Sequence, residues 1–129
     1  MSPRNQSFGP IRESGRFAER SPGTEVHPAV APKAGDIVVT KHRVSAFAGT
    51  DLDMILRANG IETLVLGGIA TSGVVLSTIR HAADADYRLV VVADCCADRD
   101  PEVHRVLTEK IFVRQATVVK AEAVVVALS

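Results

Sequence analysis

Tryptophan is absent from this chain, tyrosine occurs once, at Tyr87, and the two cysteines, Cys95 and Cys96, are immediate neighbours. With so few rings, valine and alanine must supply much of the interior, as they do in α/β proteins with buried parallel strands. Adjacent cysteines are poorly placed to staple distant parts of a chain, so a disulfide framework is not expected and reduced thiols are. An excess of charge is missing too: fifteen Lys and Arg balance fifteen Asp and Glu. No net field therefore draws the chain to nucleic acid or to an anionic membrane. No apolar run approaches the ~20 residues of a membrane span. Met1 to Arg20 is polar and arginine-rich, without the apolar core of a signal peptide. The four histidines, His27, His42, His81 and His104, are scattered without metal-ligand spacing. The expectation is a cytoplasmic protein with no nucleic-acid or membrane partner, no metal and no cofactor.

What is present fits one domain of 129 residues, enough to bury roughly two thirds of its unfolded surface. Residues 1–35 hold five prolines and four glycines and read as loop and short turns, with one brief helix near Ile11 to Phe17. Such a long front loop is unusual in a compact domain. An α/β core is expected over 36–119. Asp36 to Thr40 is a short β-branched strand. Thr50 caps a helix to about Asn59, with Asp53 as capping-box partner and Gly60 as terminator. Glu62 to Leu66 is a strand. Ser72 caps a helix to about Ala85 whose Val75, Ile79 and Ala82 share a face. Arg88 to Ala93 is a third strand, and Asp100-Pro101 opens a helix to about Arg114. Thr117 to Val119 and, in the tail 120–129, Val124 to Val126 are further β-branched runs. This alternation predicts a parallel sheet with helices on both faces, a Rossmann-like three-layer fold. Ligands bind such sheets beyond the carboxyl ends of the strands, where Lys41, the Gly67–Gly73 turn and Asp94 should gather.

Leu64-Val65-Leu66-Gly67-Gly68-Ile69-Ala70-Thr71-Ser72-Gly73-Val74-Val75 is an apolar strand passing through a glycine-rich turn into a helix. Such a turn presents backbone N–H groups that can hold an anion or a developing oxyanion. One reading is a phosphate or dinucleotide loop, with Asp94 as the ribose acid, although the spacing is not G-x-G-x-x-G. The other is an oxyanion hole beside a nucleophile, with Ser72 the nearest candidate, a residue better suited to capping the helix. Lys41 is either an ammonium at the active edge or a solvated member of the basic run Lys41-His42-Arg43. Cys95 and Cys96 follow a strand and are small buried thiols or reactive ones. His81 and Asp84, three apart, suit a surface pair.

Residues Thr40 to Leu52 (TKHRVSAFAGTDL) resemble the lysine segment of the isochorismatase-like hydrolases, the cysteine hydrolase family. Gly68-Ile69-Ala70-Thr71 and the helix after it resemble that family's nucleophile turn. Arg80 to Tyr87 and Asp94-Cys95-Cys96-Ala97-Asp98 continue the likeness, which runs from about Ser2 to Val119. It implies an isochorismatase-like α/β fold, a homo-oligomer, and Lys41 as catalytic lysine. It implies a cis peptide between Ile69 and Ala70, with the Ala70 and Val74 amides cradling an oxyanion. Thr71 and Phe47 become candidates for the substrate pocket, Phe47 being equally suited to the core.

Two departures accompany the resemblance. The family's nucleophilic cysteine falls three residues after the threonine, where this chain has Val74, and valine cannot form a thioester. The family's aspartate sits on a first strand resembling V-I-D-M-Q, upstream of anything here, so the chain reads as a member lacking its N-terminal portion. The family's first strand is central, so its loss leaves neighbours unpaired unless another chain fills the gap. The expected function is small-molecule amide or vinyl-ether hydrolysis, inactive or impaired in this chain. The alternatives are a non-catalytic binding or oligomerisation module on the same scaffold and a Rossmann-like nucleotide binder.

Overall fold

The computed structural model of the protein describes Ser2 and residues 4–18 and 21–129. Met1, Pro3, Glu19 and Arg20, which belong to the expected front loop, lie outside the described residues. The chain divides into two compact units, Met1–Val38 and Val39–Ser129.

In the first unit the proline spacing sets short turns. Helix α1 (Gly9–Glu13) carries Pro10 in its first turn, where a missing N–H costs nothing. It lies slightly earlier than the expected Ile11–Phe17, because Gly15 and Phe17 take left-handed φ of +67° and +59°. Single 3₁₀ turns follow at Pro22–Thr24 and Pro28–Val30. Asp36–Thr40 forms no strand, contrary to expectation. Its first residue is drawn into a turn instead, donating its N–H to the Lys33 carbonyl (3.1 Å) and accepting the Lys33 N–H on its carboxylate (2.8 Å). A β-branched run becomes a strand only where a neighbour takes its backbone bonds. Among the described residues none does, and Ile37 and Val38 stay 62% and 67% exposed.

The second unit is an α/β sandwich in miniature. Helix α2 (Leu52–Ala58) ends at Gly60, φ +65°. Its expected Thr50–Asp53 capping box is not made. Thr50 sits in a turn before the helix and donates its hydroxyl back to the Ala46 carbonyl (2.6 Å). Asp53 accepts the Tyr87 hydroxyl (2.8 Å) and lies 3.5 Å from Arg57. Strand β1 (Thr63–Ile69), helix α3 (Leu76–Asp84) and strand β2 (Arg88–Ala97) form a β-α-β crossover. Helix α4 (Pro101–Val106), continued by irregular helical turns to Arg114, leads to β3 (Thr117–Val119). Sheet order is β1-β2-β3, parallel throughout. The expected strand at Val124–Val126 is instead part of helix α5 (Ala121–Leu128). Its flanking Ala, Glu and Leu favour helix, and Asp94 accepts the Ala121 N–H (2.8 Å) at its start.

The core is Phe47, Val75, Ile79, Ala82, Tyr87, Leu89, Val91, Cys96, Leu107 and Phe112. The face of Val75, Ile79 and Ala82, on α3 and the helical turn that leads into it, is buried, as its spacing requires. No helix among the described residues is long and apolar enough to cross a membrane. Ile79 is fully buried, so Ile79→Ala should lower unfolding free energy by about 2–5 kcal/mol, measured by urea denaturation.

Candidate functional site

The site is built where β1 ends. Gly67 lies against Cys95 so closely that a Cβ there would sit 3.1 Å from both the Cys95 Cβ and its carbonyl oxygen. The pairing register breaks at this point: Leu66 faces Val91, whereas Gly68 faces Cys96, so two steps along β1 match five along β2. Gly68 takes φ +146°, a conformation suited to glycine. The peptide bond from Ile69 to Ala70 is cis. The chain then enters a π-type turn, Thr71–Val75, that runs directly into α3.

Two side chains from the segment after β2 hold this turn. The Thr71 hydroxyl, fully buried, is hydrogen-bonded to His104 Nδ1 at 2.8 Å. The Ser72 N–H donates to Asp98 Oδ2 at 2.7 Å. Ser72 is thus not the helix cap that its position suggests. The helical turn begins at Thr71, with Ala70, two residues before Ser72, in the cap position, so Ser72 already lies inside it. Hydrogen bonds from the Ser72 hydroxyl and N–H, assisted by the Asp100 and Arg99 amides, lower the Asp98 carboxyl to about 2.

A small apolar cavity of about 140 Å³ opens beside the turn, lined by Ala46, Leu66, Gly67, Val74, Val75 and Thr78. Thr78 ties it to the loop before α2 by accepting the Ala46 N–H at 3.1 Å. Val74 therefore presents an aliphatic wall to the space beside the strand end. A larger groove of about 580 Å³ lies at the opposite ends of the strands, among Arg57, Glu62, Asp86, Tyr87, Arg88 and Gln115.

The other candidates are placed as follows. Lys41 is exposed, and its Nζ donates to the Arg43 carbonyl at 3.0 Å. Ile69 is 78% exposed. Phe47 is in the core, stacked on His81 with ring centroids 4.9 Å apart. His81 thus faces an aromatic ring. Cys95 and Cys96 are both free, Cys95 exposed and Cys96 buried. Burial pushes the Cys96 thiol above its ordinary pKa, the bond with the Gly68 backbone offsetting part of this. Among the described residues no group of His, Cys, Asp and Glu is arranged to hold a metal. Sequence reasoning assigned no role to Asp98 or His104. Both act across 26 or more residues of chain, a relation that no local spacing encodes.

The strand, turn and helix, set beside a parallel sheet, define an α/β scaffold with a backbone turn at a strand end, and known proteins share it. The Isochorismatase domain profile matches residues 1–123. The maleamate amidohydrolase of Pseudomonas putida is 41% identical over 76 residues, which are 59% of this chain and 36% of that enzyme. An isochorismatase family protein structure from Burkholderia thailandensis superposes with a TM-score of 0.79 at 40% identity, over 82% of this chain and 56% of that one. The N-carbamoylsarcosine amidase of Thermoplasma acidophilum gives 0.73 at 40% identity, over 92% and 66%. The chain belongs to the isochorismatase family. It spans about a third to a half of the length of the curated relatives it matches.

Because folding lowers the Asp98 pKa, the ionised carboxylate stabilises the fold above the ordinary Asp value of about 3.9. That contribution is lost as pH falls through about 2. Asp98→Asn should therefore lower the thermal midpoint at pH 7, and the gap from wild type should narrow as the pH is taken down towards 2. Calorimetry across that range checks the sign.

Proposed function

We propose that this chain binds a small amide or vinyl ether at the Gly67–Val75 turn without carrying out thiol-dependent hydrolysis. Position 74 carries the reading. The family resemblance assigns the nucleophilic thiol there, and Val74 instead helps to line the apolar cavity. Thioester chemistry needs a thiolate whose pKa is lowered by its surroundings. Cys96 is buried with a raised pKa, the opposite of that requirement.

In this reading the Ala70 and Val74 amides receive the carbonyl oxygen. Thr71, anchored by His104, fixes the turn. Lys41 supplies positive charge at the rim once it leaves the Arg43 carbonyl. Support for an amide as ligand comes from the amidohydrolase and amidase names of the relatives. The same reading takes the protein to be homo-oligomeric, on the family resemblance, and cytoplasmic, on its free adjacent thiols. Asp94 already spends a carboxylate oxygen on the Ala121 N–H, which gives the nucleotide alternative no support.

A second reading, an association module, is favoured by α5, whose Val126 and Leu128 are 71% and 83% exposed. Sedimentation equilibrium tests it: Val126→Glu should dissociate an oligomer built on that helix, and unchanged mass would remove the reading.

For the principal reading, the protein is incubated with maleamate and with acetamide. Ammonia release should stay at background, while amide resonances of Gly67–Val75 shift as acetamide is added. Turnover abolished by Lys41→Ala would defeat the proposal of binding without hydrolysis.

A further inference from the structure

A helix start ordinarily takes an anion, because its unpaired N–H groups carry partial positive charge. Helical structure here runs without a break from Thr71 to Asp84, and its start faces the carboxyl end of β2. In this fold, however, the place of the anion is already filled from within the chain.

We propose that Asp98 is the specificity-determining residue of this turn. As a built-in anion on the Ser72 amide, it closes the helix start to phosphate and carboxylate groups and leaves the site to uncharged carbonyls. The proposal rests on the reading above that the turn is the ligand site, and it adds the charge class of the ligand.

The contacts are specific. Asp98 Oδ2 accepts the Ser72 N–H at 2.7 Å, the length of a charge-assisted bond, and Oδ1 accepts the Asp100 N–H at 3.3 Å. The Thr71 hydroxyl beside it is taken up by His104. Neighbouring carboxylates are spent in the same way. Asp94 holds the Ala121 N–H, and Asp100 holds those of Glu102 and Val103 at 2.9 and 3.3 Å. Satisfying a backbone donor does not remove the charge. From Asp94 to Asp100 the chain carries three carboxylates against one cation, Arg99. A second anion near the Ser72 amide meets this field at short range. A neutral amide oxygen meets only the remaining N–H donors of the turn, and the small apolar cavity beside it suits a short acyl group. Repulsion between like charges a few ångströms apart at a wet surface weakens binding by at least about fivefold.

The test uses ¹⁵N-edited NMR of the full chain at pH 7, titrated separately with inorganic phosphate and with acetamide. Asp98→Asn keeps an oxygen acceptor for Ser72 while removing the charge. In the wild type, phosphate should leave the Thr71–Val75 amides unmoved. In Asp98→Asn it should bind there at least about fivefold more tightly, and the ratio of phosphate to acetamide affinity should rise by a similar factor. Phosphate that moves the wild-type Ser72 resonance as readily as the variant's, or a variant with no gain, overturns the proposal. Asp98→Ser, a smaller uncharged acceptor, carries the same comparison should Asp98→Asn lose its folded spectrum. Acetamide failing to move these amides in the wild type would defeat the ligand reading by itself. The phosphate comparison would still decide the role of Asp98.

Discussion

The close approach of β1 to β2 at Gly67 is the constraint on which the rest of the site depends. A Cβ at Gly67 would sit 3.1 Å from Cys95, tighter than side chains ordinarily pack, so any larger residue would push the two strands apart. Up to Leu66 and Val91 the two strands run in register, and β2 also pairs with β3 from Val90 to Val92. Beyond Val92 the strand leaves β3, gains extra residues against β1, and rejoins it at Gly68 and Ile69. That irregular stretch carries Asp94 to the start of α5 and Asp98 to the turn. A regular ladder would aim neither carboxylate at those amides. Irregular pairing at a strand end is a common way for a sheet to re-aim side chains.

Once β2 has been redirected, the turn is held from outside by polar contacts that its own sequence does not supply. The π-type turn Thr71–Val75 carries the chain from β1 straight into α3. Thr71 is fully buried there, and a buried hydroxyl needs a partner. His104, one turn into α4, provides it. Asp100 in turn caps α4 with its carboxylate, so the helix that positions His104 is fixed from the same short segment that supplies Asp98. Fold and site are therefore coupled: the β2–α4 connection both starts a helix and clamps the turn.

Much of this was legible in the sequence, where local pattern and tertiary demand agree. The glycine turn between an apolar run and an amphipathic helix, the Asp100-Pro101 helix start and the face of Val75, Ile79 and Ala82 all lie where their chemistry puts them. The misreadings share one cause: short β-branched runs do not decide their own state. Ile37 to Thr40 has the composition of a strand but gains no ladder partner among the described residues. Val124 to Val126 has it too, yet Ala121, Glu122, Ala123 and Ala127 carry it into a helix whose start Asp94 caps. Thr50 and Ser72 were read as caps because their side chains suit that task. Asp51 holds the cap position one residue after Thr50, whose hydroxyl still accepts the Leu52 N–H, and Ala70 holds it two residues before Ser72. Asp98 and His104 lay beyond reach, since their partners are set by the redirected end of β2.

Val74 gives the site its chemical character. A thiol at that position would face a small apolar space beside a turn of backbone donors, and its ionisation would depend on those donors and on the nearby charge. Asp98 would weigh against that ionisation, because one carboxylate beside a helix start offsets the partial positive charge that stabilises a thiolate. With valine in place that conflict disappears. The aliphatic side chain closes the apolar wall, while the carboxylate satisfies the amide that a thiolate or substrate anion would otherwise seek. Both features act in the same direction, towards a turn that can receive a neutral carbonyl group but does not itself supply the nucleophile to attack it.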